Sequence, residues 1–488
     1  MSHRASLLGR GYADAHLDSP RVRFRRALLL CAMTVVAPGS AQVAVGNRWV
    51  GRIALAIWVA LIGGAGYLLW KFRTDRATVL GYATDTDVLM GARIAMIAGA
   101  VLWIALFVDA WRLATPLRLR VPEALLITVL NTAIVLAALG STAFASHVMA
   151  ESRGVVKQVF VAETTSPPLK GRYNILLVGS DSGKGRTGIR PDSLNVASID
   201  STTGRVVLVS LPRNLQNVPF PDESPMHELY PYGFNCGSEC LLNAVHTAAE
   251  GRSDLYPDSE DPGLDATIDA VEGVTGLPIN YYVMINMKGM RSLVDAVGGV
   301  TIDVKTRIAM FGHDDAWKNV YIEPGVQELN GQEALWYARS RVQSDDYTRM
   351  GRQKCLMSAM LHELSPQTVL TNVADIAASS KELLSTSIPA EELGPFADLA
   401  LKAKGQKIST VSLVPPEVNV AAPDFEAIKQ LIADAIEKSE KGSAPSGAKS
   451  SEPAQTQTTQ ASPDPVGTAN EDQTPQKANQ TDDLASVC

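Results

Sequence analysis

The residues best suited to chemistry sit close together in the middle of the chain. Between Tyr173 and Asn214 the sequence reads YNILLVGSDSGKGRTGIRPDSLNVASIDSTTGRVVLVSLPRN, punctuated by four charged positions: Asp181, Arg190, Asp192 and Arg213. Two carboxylates and two guanidinium groups on strand-edge loops could hold a divalent cation against a phosphate-rich ligand. Carboxylate oxygens suit a hard cation, and the planar guanidinium fork matches phosphate oxygens. Taken singly, Asp181 and Asp192 also fit turn positions that bond nearby backbone.

A second charged group lies farther on. Arg339 and Arg341 are two apart just after GQEALWYA, as Arg190 and Asp192 are two apart, so on an extended segment each pair points one way. Asp346 suits the N-cap of the next helix. On that helix Arg349, Arg352 and Gln353 fall at i, i+3 and i+4, all on one face. A solvated basic face is the alternative meaning of such spacing.

Short strands with turns between them must position the first group. Asn174–Gly179, Ser193–Ile199 and Val206–Leu211 are apolar runs separated by Gly, Ser and Asp, which collects polar side chains at the strand ends. Farther along, 264–276 has helical spacing and ends at Gly276-Leu277-Pro278. YYVMIN reads as a strand, MKGMRSLVDAVGG as a helix closed by two glycines, and VTIDV as another strand. Apolar periodic stretches at 368–385 and 391–404, a strand-like ISTVSLV and a helix at 424–438 complete the pattern. The expected fold is an α/β (α+β) layered sandwich, a central mixed sheet flanked by helices.

Composition places a membrane region ahead of this domain. The net charge of −7 hides an asymmetry, because residues 1–150 carry fifteen Lys/Arg against seven Asp/Glu. Residues 1–26 form a polar tail ending in RVRFRR, the kind of basic cluster kept on the cytoplasmic side. Segment 27–46 is mildly apolar and broken by Pro38-Gly39, which reads as a re-entrant or interfacial hairpin. Spans follow near 51–70, 90–111 and 122–148, each close to the ~20 residues that a hydrocarbon core requires. With three spans the Arg112, Arg118 and Arg120 loop stays inside and the large domain faces outward; four spans would export that loop. A linker at 149–171 then leads to a domain over 172–435. From 436 a tail rich in Ser, Thr, Gln, Pro and Ala has too few apolar residues to offset ordering entropy. No zinc spacing or aromatic-interleaved basic patch indicates a nucleic-acid partner.

The five cysteines divide by place. Cys31 lies in the membrane region as a small apolar filler. Cys236 and Cys240 in NCGSEC are close enough to bridge in an oxidising compartment, and Cys355 and Cys488 are left as a second pair.

The order of motifs resembles the LytR-CpsA-Psr family. NILLVGSDS is followed by RPDS for the family's Arg-x-Asp, SLPRN for its Ser-x-Pro-Arg-Asp, LVDAVGGVTIDV, LNGQEALWYARSR and DYTRMGRQ. The resemblance spans roughly residues 172–435. It implies a membrane-anchored extracytoplasmic enzyme that binds a polyprenyl-pyrophosphate-linked glycan, with the lipid in an apolar tunnel between sheet and helices. Such an enzyme transfers the phospho-glycan to a peptidoglycan hydroxyl. Carried over, Asp181 and Asp192 would hold Mg²⁺, while Arg190, Arg213, Arg339, Arg341, Arg349, Arg352 and Gln353 would line the phosphates. Alternatives on the same residues are a lipid pyrophosphate phosphatase and a non-catalytic envelope regulator or scaffold. Asn214 departs from the family's usual Asp. The loop GSDSGKGRTG lacks the phosphate-loop spacing of a nucleotide triphosphatase.

Overall fold

The computed structural model describes residues 20–160, 164–181, 190–310, 320–342, 344–363, 384–404, 406–441, 479 and 482–484. The chain divides into two compact units, Met1–Lys157 with Ala390–Ala397, and Gln158–Pro389 with Asp398–Cys488.

The first unit is helical: α1 (Pro20–Val36), α2 (Ser40–Val45), α3 (Arg48–Thr74), α4 (Arg76–Thr84), α5 (Thr86–Leu113) and α6 (Val121–Val159). Three of these, α3, α5 and α6 over Val121–Gly154, are long and apolar enough to cross a membrane, matching the three expected spans. The expected hairpin at 27–46 is α1 turning into α2. Gly39 takes φ +95° there, and a Cβ at that position would lie 2.5 Å from the Gly51 carbonyl oxygen, so only glycine fits the crossing. Buried Gln42 donates to the Leu106 carbonyl and to Asp109, and Trp103 donates to the Thr34 carbonyl.

After α6 the strands and helices run β1 (Arg172–Ser180), β2 (Pro191–Asp200), β3 (Val206–Leu211), α7 (Pro225–Leu229), α8 (Val245–Glu250), α9 (Pro262–Thr275), β4 (Tyr281–Asn286), α10 (Met287–Ala296), β5 (Val300–Val304), β6 (Ile308–Ala309), β7 (Tyr321–Ile322), β8 (Gly325–Leu329), α11 (Gly331–Arg339), α12 (Asp346–Glu363), β9 (Leu384–Thr386), α13 (Leu393–Ala403), β10 (Ser409–Ser412) and α14 (Phe425–Lys441), all in the second unit except the first residues of α13, up to Ala397. Six strands form one mixed sheet in the order β10-β3-β2-β1-β4-β9. β1 pairs antiparallel with β2 and parallel with β4, and β3 pairs parallel with β10. The expected layered fold is what the chain adopts.

Alternation along the strands gives the sheet two faces. Leu176, Val178, Leu194, Val196, Val207 and Val209 point to one side and pack with α9 and α14 in the main core. The other side carries Leu177, Ala197 and Leu208, over which Met357 of α12 packs. A second core joins α10, β5, β8, α11 and α12. Helix ends follow local chemistry: the Asp261 side chain accepts from the Leu264 N–H before α9, and Gly276 at φ +67° closes it. At α11 the Asn330 side chain and Glu333 complete a capping box.

One expected boundary is adjusted. α14 runs to Lys441, so the boundary at 435/436 cuts a helix whose apolar stripe is buried through Ile428 and Ile432. The stretch 368–385 lies outside the described residues except for its last two, which open β9. Cys236 and Cys240 form the expected disulfide with Cα atoms 5.3 Å apart, whereas the Cys355–Cys488 pairing involves a residue outside the described set. Near the end of the low-complexity tail, Asp483 bridges to Ser409 of β10 and Leu484 is buried against Ala197 and Leu208. Asp482 accepts ion pairs from Lys407 and Lys438 at 3.3 and 2.9 Å.

Gly331 opens α11 with its N–H on Asp295 at 2.7 Å, and a Cβ there would lie 2.1 Å from the Arg291 carbonyl oxygen. Gly331→Ala therefore forces α10 and α11 apart. It should cost about 2 kcal/mol, read as a lowered denaturant midpoint of the detergent-solubilised chain.

Candidate active site

The site is built where the first residues of β2, the loop after β3 and the first turn of α12 meet. Arg213 follows β3 directly, and its guanidinium donates twice: Nη1 to Asp192 Oδ1 and Nε to Asp346 Oδ2, both at 2.9 Å. Arg341 adds looser contacts to the same carboxylates at 3.6 and 3.7 Å. Arg349, 2% exposed, reaches Asp192 at 3.8 Å and Asp346 at 3.6 Å. Three guanidinium groups thus share two carboxylates, leaving one positive charge in excess. A web of this kind orders the cations and keeps a net attraction for a polyanion.

Burial and charge act against each other here. For Arg213 burial pulls the guanidinium down, but the Asp346 hydrogen bond and the charges of both carboxylates outweigh it and hold it above its ordinary value. Arg349 goes the other way. Burial pushes it down to about 10 despite Asp346 and Asp192, which still leaves it charged at neutral pH. Arg352, also buried and pushed to about 10 by burial, donates through Nη2 to the Ser340 carbonyl and to Ser344 Oγ at 2.9 Å. The Nε atoms of Arg349 and Arg352 are buried without a partner among the described residues.

A cavity opens beside the web. It is lined by Asp192, Ser193, Asn195 and Ser210 on the sheet side, by Arg213, and by Met350 and Gln353 of α12. Gln353 also donates to the Ala338 carbonyl at 3.3 Å.

The structure gathers Asp192, Arg213, Arg341 and Arg349, sets Gln353 on the cavity wall and holds Arg352 beneath the loop that carries Arg341. Two expected residues stand apart. Arg190 is exposed and its side chain makes no bond among the described residues; β2 begins at the next residue, Pro191. The Arg190 carbonyl accepts the Asp181 N–H at 3.3 Å, so Asp181 lies at the paired ends of β1 and β2. Arg339 lies over the Trp336 ring at 5.2 Å, since the last turn of α11 turns it that way. The expected N-cap is corrected: Asp345 caps α12 through the Thr348 N–H at 2.6 Å, which frees the Asp346 carboxylate for the arginines. Sequence reasoning missed Asp346 as a site residue. Its i, i+3 relation to Arg349 was the available signal, read there as capping. Asn214 keeps a buried Oδ1 without a partner among the described residues. Arg213 draws both of its carboxylates from elsewhere.

The sequence profile of the LytR_cpsA_psr family matches residues 140–441. The chain belongs to the LytR-CpsA-Psr family. Among LytR-CpsA-Psr relatives it is 27% identical over 248 residues to the polyisoprenyl-teichoic acid–peptidoglycan teichoic acid transferase TagV of Bacillus subtilis, covering 50% of this chain and 57% of that protein. It is 28% identical over 222 residues to the transferase TagU of Bacillus cereus, covering 45% of this chain and 62% of TagU. Both alignments thus take in less than two thirds of the relative's length. The crystal structure of Bacillus subtilis TagV superimposes with a TM-score of 0.40 at 25% identity, over 56% of this chain and 98% of that one.

Asp346→Asn leaves buried Arg349 with only the 3.8 Å contact to Asp192. The loss should be about 2 kcal/mol, seen as a lower denaturant midpoint with an unchanged slope.

Proposed function

We propose that this LytR-CpsA-Psr protein is a membrane-anchored phosphotransferase that moves a glycopolymer from a polyprenyl-pyrophosphate carrier to a hydroxyl of peptidoglycan. The observation that carries the reading is the web of Arg213, Arg341 and Arg349 on Asp192 and Asp346, cationic in sum and open to a polar cavity. The names of the TagV and TagU transferases support the donor and acceptor classes.

Phosphoryl transfer asks a protein chiefly for position and charge neutralisation. The acceptor oxygen attacks the glycan-linked phosphorus, the bond from that phosphorus to the bridging oxygen breaks, and polyprenyl phosphate departs with the electron pair. The acceptor's proton passes to solvent. Arg213 and Arg349, held by the two carboxylates, stay fixed while negative charge grows on the leaving phosphate, so no reorganisation is needed during the step. Arg341, nearly half exposed, is placed to close on a ligand from the solvent side.

Asp181 and Asp192 are the residues that would hold Mg²⁺. Their donor chemistry fits, because carboxylates at the paired ends of β1 and β2 suit an ion that completes its shell with ligand phosphates and water. The ion would supply further charge neutralisation on the pyrophosphate.

The assay is release of polyprenyl phosphate from a lipid-linked pyrophosphate substrate. Asp192→Ala should lower turnover about 100-fold and blunt its dependence on Mg²⁺. Arg341→Lys keeps the charge but loses the fork, and should cost on the order of tenfold. Near-normal release by both variants would leave a non-catalytic role as the better reading.

The three apolar helices and the basic loop at Arg112, Arg118 and Arg120 support a domain on the extracytoplasmic side. Protease added to intact protoplasts should digest epitopes beyond residue 160. Full protection would reverse the orientation.

A further inference from the structure

α12 carries a buried amine that the arginine web does not use. Lys354 is 1% exposed, its Nζ donates to Ser412 Oγ, and no carboxylate pairs with it among the described residues. Burial alone pushes the amine down to about 8. A buried cation with one hydroxyl partner costs stability that a methionine of similar length would not.

Strand register shows where this amine stands. On the face beneath α12, Asn195 of β2 is the register partner of Ser210 of β3, and Ser210 is the partner of Ser412 of β10. Ser210 donates to Asn195 Oδ1 at 2.7 Å, and Asn195 donates in turn to Ser193 Oγ at 3.1 Å. A polar row therefore crosses three strands of a face whose neighbouring positions, Leu177, Ala197 and Leu208, are apolar. One end of the row lines the cavity beside Gln353 and Arg213; the other end is Lys354. Uncharged side chains would seat α12 on the sheet at less cost, so packing does not account for the lysine.

We propose that Lys354 is a further phosphate-binding residue, released from Ser412 to neutralise an oxygen of a phosphate seated over the Ser193–Asn195–Ser210 row. The proposal rests on the phosphotransferase reading above. Neighbouring strands are only about 4.8 Å apart, and a four-carbon stem with three rotatable donors spans the step from Ser412 to Ser210. Around Lys354, β10 offers no titratable group. The other packed elements supply Asp192 at the head of β2, Arg213 after β3, Asp303 on β5 and Tyr337 on α11. α12 itself adds Asp346, Arg349 and Arg352, Asp345 precedes it, and the terminal segment packed on the same face adds Asp482 and Asp483. None of them pairs with the amine, and the arginines stay charged through pH 9.

The sign of the pH effect follows. In the free protein the amine is mostly charged at pH 7 and mostly neutral at pH 9, whereas a bound phosphate favours the charged form. Affinity for phosphate therefore falls between those pH values by more than in a protein lacking the amine.

The test is titration calorimetry of the full-length chain in detergent with inorganic pyrophosphate at pH 7 and pH 9, paired with thermal unfolding. Lys354→Met should raise the melting temperature, weaken binding about tenfold at pH 7 and show a smaller loss of affinity at pH 9. Ser412→Ala keeps the lysine and removes its resting partner, so it should bind at least as tightly as the parent. Equal affinity and equal pH dependence for the parent and Lys354→Met would overturn the proposal. So would a loss in Ser412→Ala as large as that in Lys354→Met, which would mark packing damage. A parent protein that does not bind pyrophosphate fails the phosphotransferase reading itself, and this proposal with it.

Discussion

Arg213 is the joint on which the catalytic half of the molecule depends. Its two 2.9 Å bonds run to Asp192, which opens β2, and to Asp346, which opens α12. The guanidinium ties a strand end to a helix start 154 residues downstream in the sequence (346 − 192). With its side chain only 23% exposed, it does so where water competes poorly. Every other cation of the site is placed relative to that joint. Arg349 lies one turn along α12 from Asp346, and Arg341 lies two residues beyond the end of α11.

Much of the architecture was legible because local and global signals agree. The strand Val206–Leu211 has the same limits in sequence and structure, and β1 and β2 differ from their expected limits by only one or two residues at each end. Apolar runs ended by Gly, Ser and Asp leave few other readings. Helix ends were equally readable where capping is local, as at Asp261 and Gly276. Site membership was less readable. The i, i+2 rule failed for Arg339 and Arg341, because Arg339 still belongs to α11, whose last turn sets it over Trp336, while Arg341 beyond the helix reaches Asp192 and Asp346. Nor could it show that Asp345 would cap α12 and release Asp346. Such choices between adjacent residues are settled by tertiary partners that sequence spacing does not encode.

Lys354 was invisible for a different reason. In DYTRMGRQKC it reads as one more basic residue after three arginine-motif positions, where charge on a helix usually means solvent. Only the pairing of β3 with β10 puts Ser412 beneath it, and that parallel pair joins segments about 200 residues apart in the chain. The membrane unit carries the same lesson. Gln42 and Asp109 look like blemishes in apolar stretches, but a polar side chain in such a bundle is kept by a partner on another helix, here a carbonyl and a carboxylate.

The docked terminal segment has a bearing on how this protein behaves among its own copies. β10 is the last strand on one side of the sheet, and an end strand with free amides and carbonyls invites a foreign strand to add to it. Leu484 N–H bonds to the Ile408 carbonyl at 2.9 Å, and the Asp482 carbonyl accepts the Thr410 N–H at 3.3 Å, so the chain occupies that margin with its own final residues. Asp482, ionised beside Lys407 and Lys438, adds charge along the same margin. Residues 482–484 thus cover the backbone groups of β10 to which a foreign strand would otherwise add.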